Sequence, residues 1–125
     1  MERERDPLSG KVIGCAIEVH RHLGPGLLES AYETCLAYEL GQAGIAYTQQ
    51  QPLPVQYKGI ALDCSYRLDV VVESQLLLEL KVVERLLPIH DAQILTYMKL
   101  SGIRTGLLIN FNVAVLKDGI KRFVL

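Results

Sequence analysis

The sequence predicts an α/β fold in which a mixed β-sheet is flanked by helices, and three observations carry that expectation. Two strongly apolar runs, Tyr66-Arg67-Leu68-Asp69-Val70-Val71-Val72 and Leu76-Leu77-Leu78-Glu79-Leu80-Lys81-Val82-Val83, bracket the polar stretch Glu73-Ser74-Gln75. That is the pattern of two strands joined by a hairpin turn. Two segments of helical periodicity come before them. A third helical segment precedes the strand-like run at residues 104–110, so strand, helix and strand follow one another and call for a parallel pairing through a right-handed crossover.

Along the chain, the first helix is expected over residues 9–23, with Ser9 as its cap and Val12, Ile13, Ala16, Ile17, His20 and Leu23 on one face. Gly24-Pro25-Gly26 stops it, because proline cannot continue a helix and glycine accepts the conformation of a helix end. A second helix over residues 27–42 turns Leu28, Ala31, Tyr32, Cys35, Leu36 and Leu40 toward a core, with Gly44 as its stop. Residues 45–57 read as extended. Pro52 and Pro54 assign that segment to an edge, a bulge or a break, since neither can donate to a ladder. Gly59 turns the chain into the strand that carries Asp69. Pro88 opens the third helix, and Gly102 closes it after Ser101. A last hairpin turns at Asp118-Gly119 and returns along residues 121–125. The expected order is α-α-β-β-β-α-β-β.

At 125 residues, with 50% hydrophobic and 22% charged side chains, the chain has the length of one domain and the means to build a core. No apolar run approaches the roughly 20 residues of a membrane helix. The charged opening Met1-Glu2-Arg3-Glu4-Arg5-Asp6 is followed by no apolar leader core, so a cytoplasmic protein without membrane association is expected. Cys15, Cys35 and Cys64 lack a C-x-x-C spacing and read as buried small hydrophobes of a reducing compartment. His20 continues the apolar stripe of its helix and reads as a hydrogen-bonded core histidine, not as a zinc ligand with His22 and Cys15. His90 stands in the first turn of the third helix, where it could approach a substrate, although nothing local requires that role. The net charge of −1 is not that of a strong nucleic-acid binder. From Arg85 onward, however, six basic residues (Arg85, Lys99, Arg104, Lys117, Lys121, Arg122) face only Asp91 and Asp118. This excess is either ordinary surface solvation or a modest phosphate-tracking surface.

The chemistry concentrates in the central hairpin. A turn centred on Ser74 sets Asp69 opposite Glu79 and Arg67 opposite Lys81. It also gathers Tyr66, Leu68, Val70 and Val72 with Leu76, Leu78, Leu80 and Val82 on one apolar face, leaving Glu79 and Lys81 on the other. Carboxylates directly across a strand pair have Cβ atoms roughly 4.5–5.5 Å apart and repel. Their hard oxygens suit Mg²⁺ or Mn²⁺, and Lys81 stands beside such an ion, free to meet a phosphate or an attacking water. The plain alternative is a solvated strand face whose acids pair with Arg67 and Lys81. It is weakened by the way these charges interrupt runs that otherwise read as sheet core.

This arrangement resembles the catalytic core of the PD-(D/E)XK nuclease superfamily, in which an Asp and a Glu-x-Lys on neighbouring strands bind the metal. Gln93-Ile94-Leu95-Thr96-Tyr97 is similar to the Q-x-x-x-Y element of RecB-type nucleases in that superfamily, and its Gln and Tyr share a helix face. Gly26-Leu27-Leu28-Glu29-Ser30-Ala31-Tyr32 resembles the signature of the GxxExxY family, small prokaryotic proteins assigned to the same superfamily. Pro54-Val55-Gln56-Tyr57-Lys58-Gly59 and Gly106-Leu107-Leu108-Ile109-Asn110-Phe111 are also similar to that family. Leu68 stands where much of the superfamily has proline, a residue that RecB-like members also lack.

The resemblance implies a restriction-endonuclease-like core, αβββαβ, preceded by an extra helix, with residues 1–125 as one nuclease-like domain. It also implies metal-dependent hydrolysis of phosphodiester bonds in DNA. In that role Asp69, Glu79 and the backbone carbonyl of Leu80 hold Mg²⁺ or Mn²⁺, and Lys81 orients water or stabilises charge on the phosphate. Glu29 adds a carboxylate, Gln93 fixes a metal-bound water or a phosphate, and Tyr97 packs beneath it; Arg67 and Tyr97 contact the substrate. The other function class is a non-catalytic nucleic-acid-binding or protein-interaction module that keeps the nuclease fold. The small size leaves nothing for a specificity domain or clamp, so a homodimer or a recruiting partner would supply the missing surface. The facing carboxylates and lysine favour the enzyme.

Overall fold

The computed structural model describes residues 6–63 and 66–125; Cys64 and residues 1–5 lie outside the described residues. Helix α1 (Pro7–Leu23) starts before Ser9, and Asp6 is its cap in place of Ser9. The Asp6 carboxylate accepts the Ser9 backbone N–H at 2.7 Å and the Ser9 hydroxyl at 3.0 Å. Pro7 follows it at a position where a missing N–H costs nothing. Helix α2 (Glu29–Gln42) begins after Leu28, which was expected in the core but is the N-cap residue and 76% exposed. The residues that α2 buries are Tyr32, Leu36, Ala37 and Leu40.

Tyr32 explains how the two helices meet. Its ring stacks on Phe111 with centroids 4.5 Å apart. Its hydroxyl donates to the Gly24 carbonyl and accepts the Leu27 N–H. The turn it clamps contains Gly24 and Gly26 at φ +65° and +101°, where a side chain would be strained. Tyr32→Phe keeps the stack but leaves two backbone groups of the turn without their partner. It is expected to cost about 1–3 kcal/mol, readable as a lower melting temperature with an unchanged circular dichroism spectrum.

The segment at residues 45–57 breaks at its prolines. Strand β1 (Tyr47–Pro52) joins the main sheet as an edge strand, whereas β2 (Val55–Tyr57) pairs with β3 (Ile60–Leu62) in a separate two-stranded sheet. Gly59, at φ +82°, closes that small hairpin and does not lead directly into the Asp69 strand as expected. Then come β4 (Arg67–Val72), β5 (Leu76–Lys81), helix α3 (Pro88–Ser101), β6 (Thr105–Asn110) and β7 (Ile120–Val124). The sheet order is β1-β4-β5-β6-β7. The β5–β6 pair is parallel, as the intervening helix requires, and the others are antiparallel. The link into β7 is a 3-10 turn at Leu116–Gly119.

Helices cover both faces. On one, Val12, Ala16, Leu36 and Leu40 of α1 and α2 meet Val70, Val72, Leu78, Leu80, Leu107 and Ile109. On the other, Ile94 and Met98 of α3 meet Leu68, Val71, Leu77 and Leu108. Gly106 lets α3 come this close, since a Cβ there would stand 2.8 Å from the Met98 sulfur. Leu68 is the departure from expectation: it lies on the α3 face, opposite Val70 and Val72. The pleat therefore breaks between Leu68 and Val70, at Asp69.

Candidate active site

The register of the central hairpin is the one expected from a turn at Ser74: Val72 pairs with Leu76, Val71 with Leu77 and Val70 with Leu78. The ladder ends there, one pair short of Asp69 and Glu79. Beyond it, side chains take over the bonding. The Leu80 N–H donates to Asp69 Oδ2 at 2.9 Å, and the Asp69 N–H donates to Glu79 Oε2 at 3.3 Å. The two carboxylates thus stand in the gap where β4 and β5 separate.

Gln50, which sequence patterning missed, shapes the other side of the gap. The β1–β4 ladder runs from Gln49–Val70 to Gln51–Leu68 and skips Gln50 and Asp69. Gln50 sits at φ +52°, an uncommon conformation for a side-chain-bearing residue. Its amide donates to Glu33 Oε1 at 3.0 Å and also reaches Asp69. Its carbonyl accepts the Arg67 guanidinium at 3.2 Å. Arg67 is therefore engaged with the edge strand, on the outer side of the site. No local signal in the sequence marks Gln50; only the neighbourhood of Glu33, Arg67 and Asp69 does.

The electrostatics are strained. Glu79 is only 5% exposed. Burial, then the charge of Asp69, push its pKa up to about 8, against the opposing pull of the Asp69 N–H and Lys81. Burial also raises Asp69, partly offset by the Leu80 N–H, Lys81 and Gln50. Glu29, exposed in the first turn of α2, is raised by partial burial and by Asp69, with Lys81 acting the other way. Its carboxylate is near enough for the charges of Asp69 and Lys81 to act on it. Lys81 thus lies within the field of all three carboxylates, and its ammonium reaches Gln93 Oε1 at 3.5 Å. Burial raises the Tyr97 phenol, as do the charges of Glu79, Tyr66 and Asp69, so the Q-x-x-x-Y face of α3 looks toward the same centre.

The main chain completes the arrangement. Within a strand a residue's N–H and C=O point to the same side. The Leu80 N–H bonds Asp69, so the Leu80 carbonyl also faces the gap, while the Lys81 carbonyl turns the other way to accept the Phe111 N–H at 3.0 Å. Among the described residues, no group of three or more His, Cys, Asp or Glu side chains forms a metal cage. Any hard cation here would lean on two carboxylates and a carbonyl.

The remaining candidates have structural duties. The His20 ring donates from Nε2 to the Val113 carbonyl at 2.8 Å. His90 accepts the Leu87 N–H at 2.9 Å and so caps α3. Lys121 pairs with Asp91 at 2.7 Å, Arg122 with Asp6 at 2.8 Å, and Arg104 donates to the Leu125 carbonyl at 2.9 Å. Half of the basic excess after Arg85 is thereby tied up within the protein.

A family model described as the PD-(D/E)XK nuclease superfamily matches residues 6–123. The chain belongs to that superfamily. No curated protein and no solved structure matches it. The αβββαβ core of a PD-(D/E)XK protein is α2, β1, β4, β5, α3 and β6, with α1 as the added helix, β2–β3 inserted and β7 appended. The superfamily suggests nuclease-type function. Among the described residues no helix is long and apolar enough to cross a membrane.

Proposed function

We propose that this PD-(D/E)XK protein is a nuclease that hydrolyses phosphodiester bonds in DNA with the help of Mg²⁺ or Mn²⁺. The observation that carries the reading is the opening of the β4–β5 ladder at two facing carboxylates, Glu79 buried and Asp69 half-buried, whose pKa values are raised. The donor set fits a hard divalent cation, because Asp69, Glu79 and the Leu80 carbonyl offer only oxygen and the two acids repel until a cation lies between them. When bound, such an ion polarises a phosphoryl oxygen and acidifies water.

The protein's own groups do the rest. Lys81 holds its charge beside the site, where it neutralises negative charge developing on the phosphate or aligns the attacking water. Gln93 positions Lys81 and offers an amide to water or phosphate. Glu29 attracts a hydrated cation to the mouth of the gap. Tyr97 supports Gln93 from the next helical turn, and Arg67 meets the phosphate backbone at the outer rim. The Gly26–Tyr32 signature supports placement among the GxxExxY proteins, with glycine and tyrosine shaping the turn and Glu29 left to face the site.

The test is incubation of the pure protein with plasmid and single-stranded DNA in Mg²⁺, Mn²⁺ or EDTA. Cleavage is expected only with metal and is expected to fail in Lys81→Ala. Absence of cleavage in every condition, together with no metal-dependent shift in melting temperature, would overturn the reading in favour of a non-catalytic binding module.

A further inference from the structure

Beside the carboxylate gap, on the α3 side, an open cavity of about 330 Å³ runs between the helix and Tyr66; Gln93, Thr96, Tyr97, Ala92 and Leu100 line its helical wall. Ile94 and Met98 close the hydrophobic core beneath it; of the residues on this wall Tyr97 packs against that core, while Ala92, Gln93, Thr96 and Leu100 are exposed. Tyr66 is 44% exposed and Leu100 46%, so the protein spends aromatic and aliphatic surface on an unfilled space. The two tyrosine rings stand 6.1 Å apart at 56° to each other, leaving ring face open to a third planar group. Gln93, Thr96 and the tyrosine hydroxyls supply both donors and acceptors around an apolar floor.

The cavity shares Gln93 with the proposed phosphate centre. Gln93 lines it and also receives Lys81 at 3.5 Å, so a phosphate held at Lys81 places its own nucleoside beside Tyr66 and Tyr97. A base inside a duplex is stacked on its neighbours and cannot enter a walled pocket without leaving the stack.

Resting on the nuclease reading above, we propose that the Tyr66–Tyr97 pocket binds an unpaired nucleobase next to the scissile phosphate, which makes single-stranded or frayed DNA the preferred substrate class. The base stacks on tyrosine, and its edge is met by Gln93 and Thr96 with little sequence preference, because every base has a ring face.

The test measures binding by fluorescence anisotropy in Ca²⁺ with three labelled probes: a single-stranded oligothymidine, the same backbone carrying abasic residues, and a blunt duplex. The single strand is expected to bind about tenfold tighter than the abasic backbone, the effect of one stacked base, and tighter than the duplex. Tyr66→Ala and the pocket-filling Ala92→Phe should each bring the single strand down to the abasic level, while Tyr66→Phe keeps the difference. Equal binding of the base-bearing and abasic strands, a duplex that binds tightest, or a Tyr66→Ala protein that keeps the preference would overturn the pocket assignment. Metal-dependent cleavage would survive those results and leave the nuclease reading standing. Failure of all three probes to bind would overturn the pocket assignment, and with cleavage and the metal-dependent melting shift also absent the nuclease reading would fall with it.

Discussion

Replacing Lys81 with alanine is expected to slow metal-dependent DNA cleavage by about 10²–10³-fold, the usual effect of removing one charge-stabilising group from a prearranged site. Lys81 ends β5 beside Asp69 and Glu79, and its cationic charge opposes the rise in the pKa values of both and of Glu29. Substrate adds the negative charge of a phosphate to this cluster, so the loss should fall mainly on kcat. The fold should persist, because Lys81 is only half-buried and its ammonium, among the described residues, bonds a single side chain, Gln93, at 3.5 Å. Single-turnover cleavage with circular dichroism as a control checks the expectation. A variant that cuts at the parent rate would remove Lys81 from the chemistry.

Stability should fall as pH rises in the absence of divalent metal, and metal should reverse the trend. Glu79 ionises near 4.5 when unfolded and near 8 when folded. Between those values the folded protein keeps a proton that the unfolded chain has released. A carboxylate whose folded pKa is raised therefore stabilises below its unfolded pKa and loses that contribution as pH climbs through the folded one. The change across roughly pH 4.5 to 8 is on the order of a few kcal/mol. A divalent cation competes with this proton, so its affinity should increase through the same window. At ten times Kd it should add about 1.4 kcal/mol.

Asp69→Asn keeps an oxygen for the Leu80 N–H but removes the charge that opposes ionisation of Glu79. The metal-free variant should be more stable than the parent at pH 8, its pH dependence flatter, and its response to Mg²⁺ weaker. Thermal unfolding of both proteins at pH 5.5, 7 and 8.5, in EDTA and in Mg²⁺, separates these outcomes. Stability that rises with pH in EDTA, or a parent protein indifferent to Mg²⁺, would show that the acids are already neutralised within the fold.

Much of the frame was legible in the sequence because it depends on local patterns. The apolar runs around Glu73-Ser74-Gln75 specify the hairpin and its register, since a slip by one residue would mix Leu76, Leu78 and Leu80 with the face that carries Glu79 and Lys81. Alternation along β5 puts Glu79 and Lys81 on the face opposite those leucines. Pro88 and Gly102 bound α3, and Gln93 and Tyr97 share one face by helical spacing alone. Tertiary structure decided what local patterns do not encode. Alternation presumes an unbroken pleat, so it misplaced Leu68: Asp69 bonds across to Leu80 and Gln50 rather than pairing in either ladder. The left-handed turn of Gln50 is held by Glu33 on α2 and by Arg67 on β4, partners far away in the chain. Leu28 looked buried by spacing, but α2 begins just after it and turns it outward. The pocket at Tyr66 exists only because α3 folds back over the sheet. By itself the sequence determined which residues carry charge on the strand pair; the tertiary structure decided how deeply Glu79 is buried, and hence its acidity, because desolvation is set by everything packed around a group and not by its neighbours in the chain.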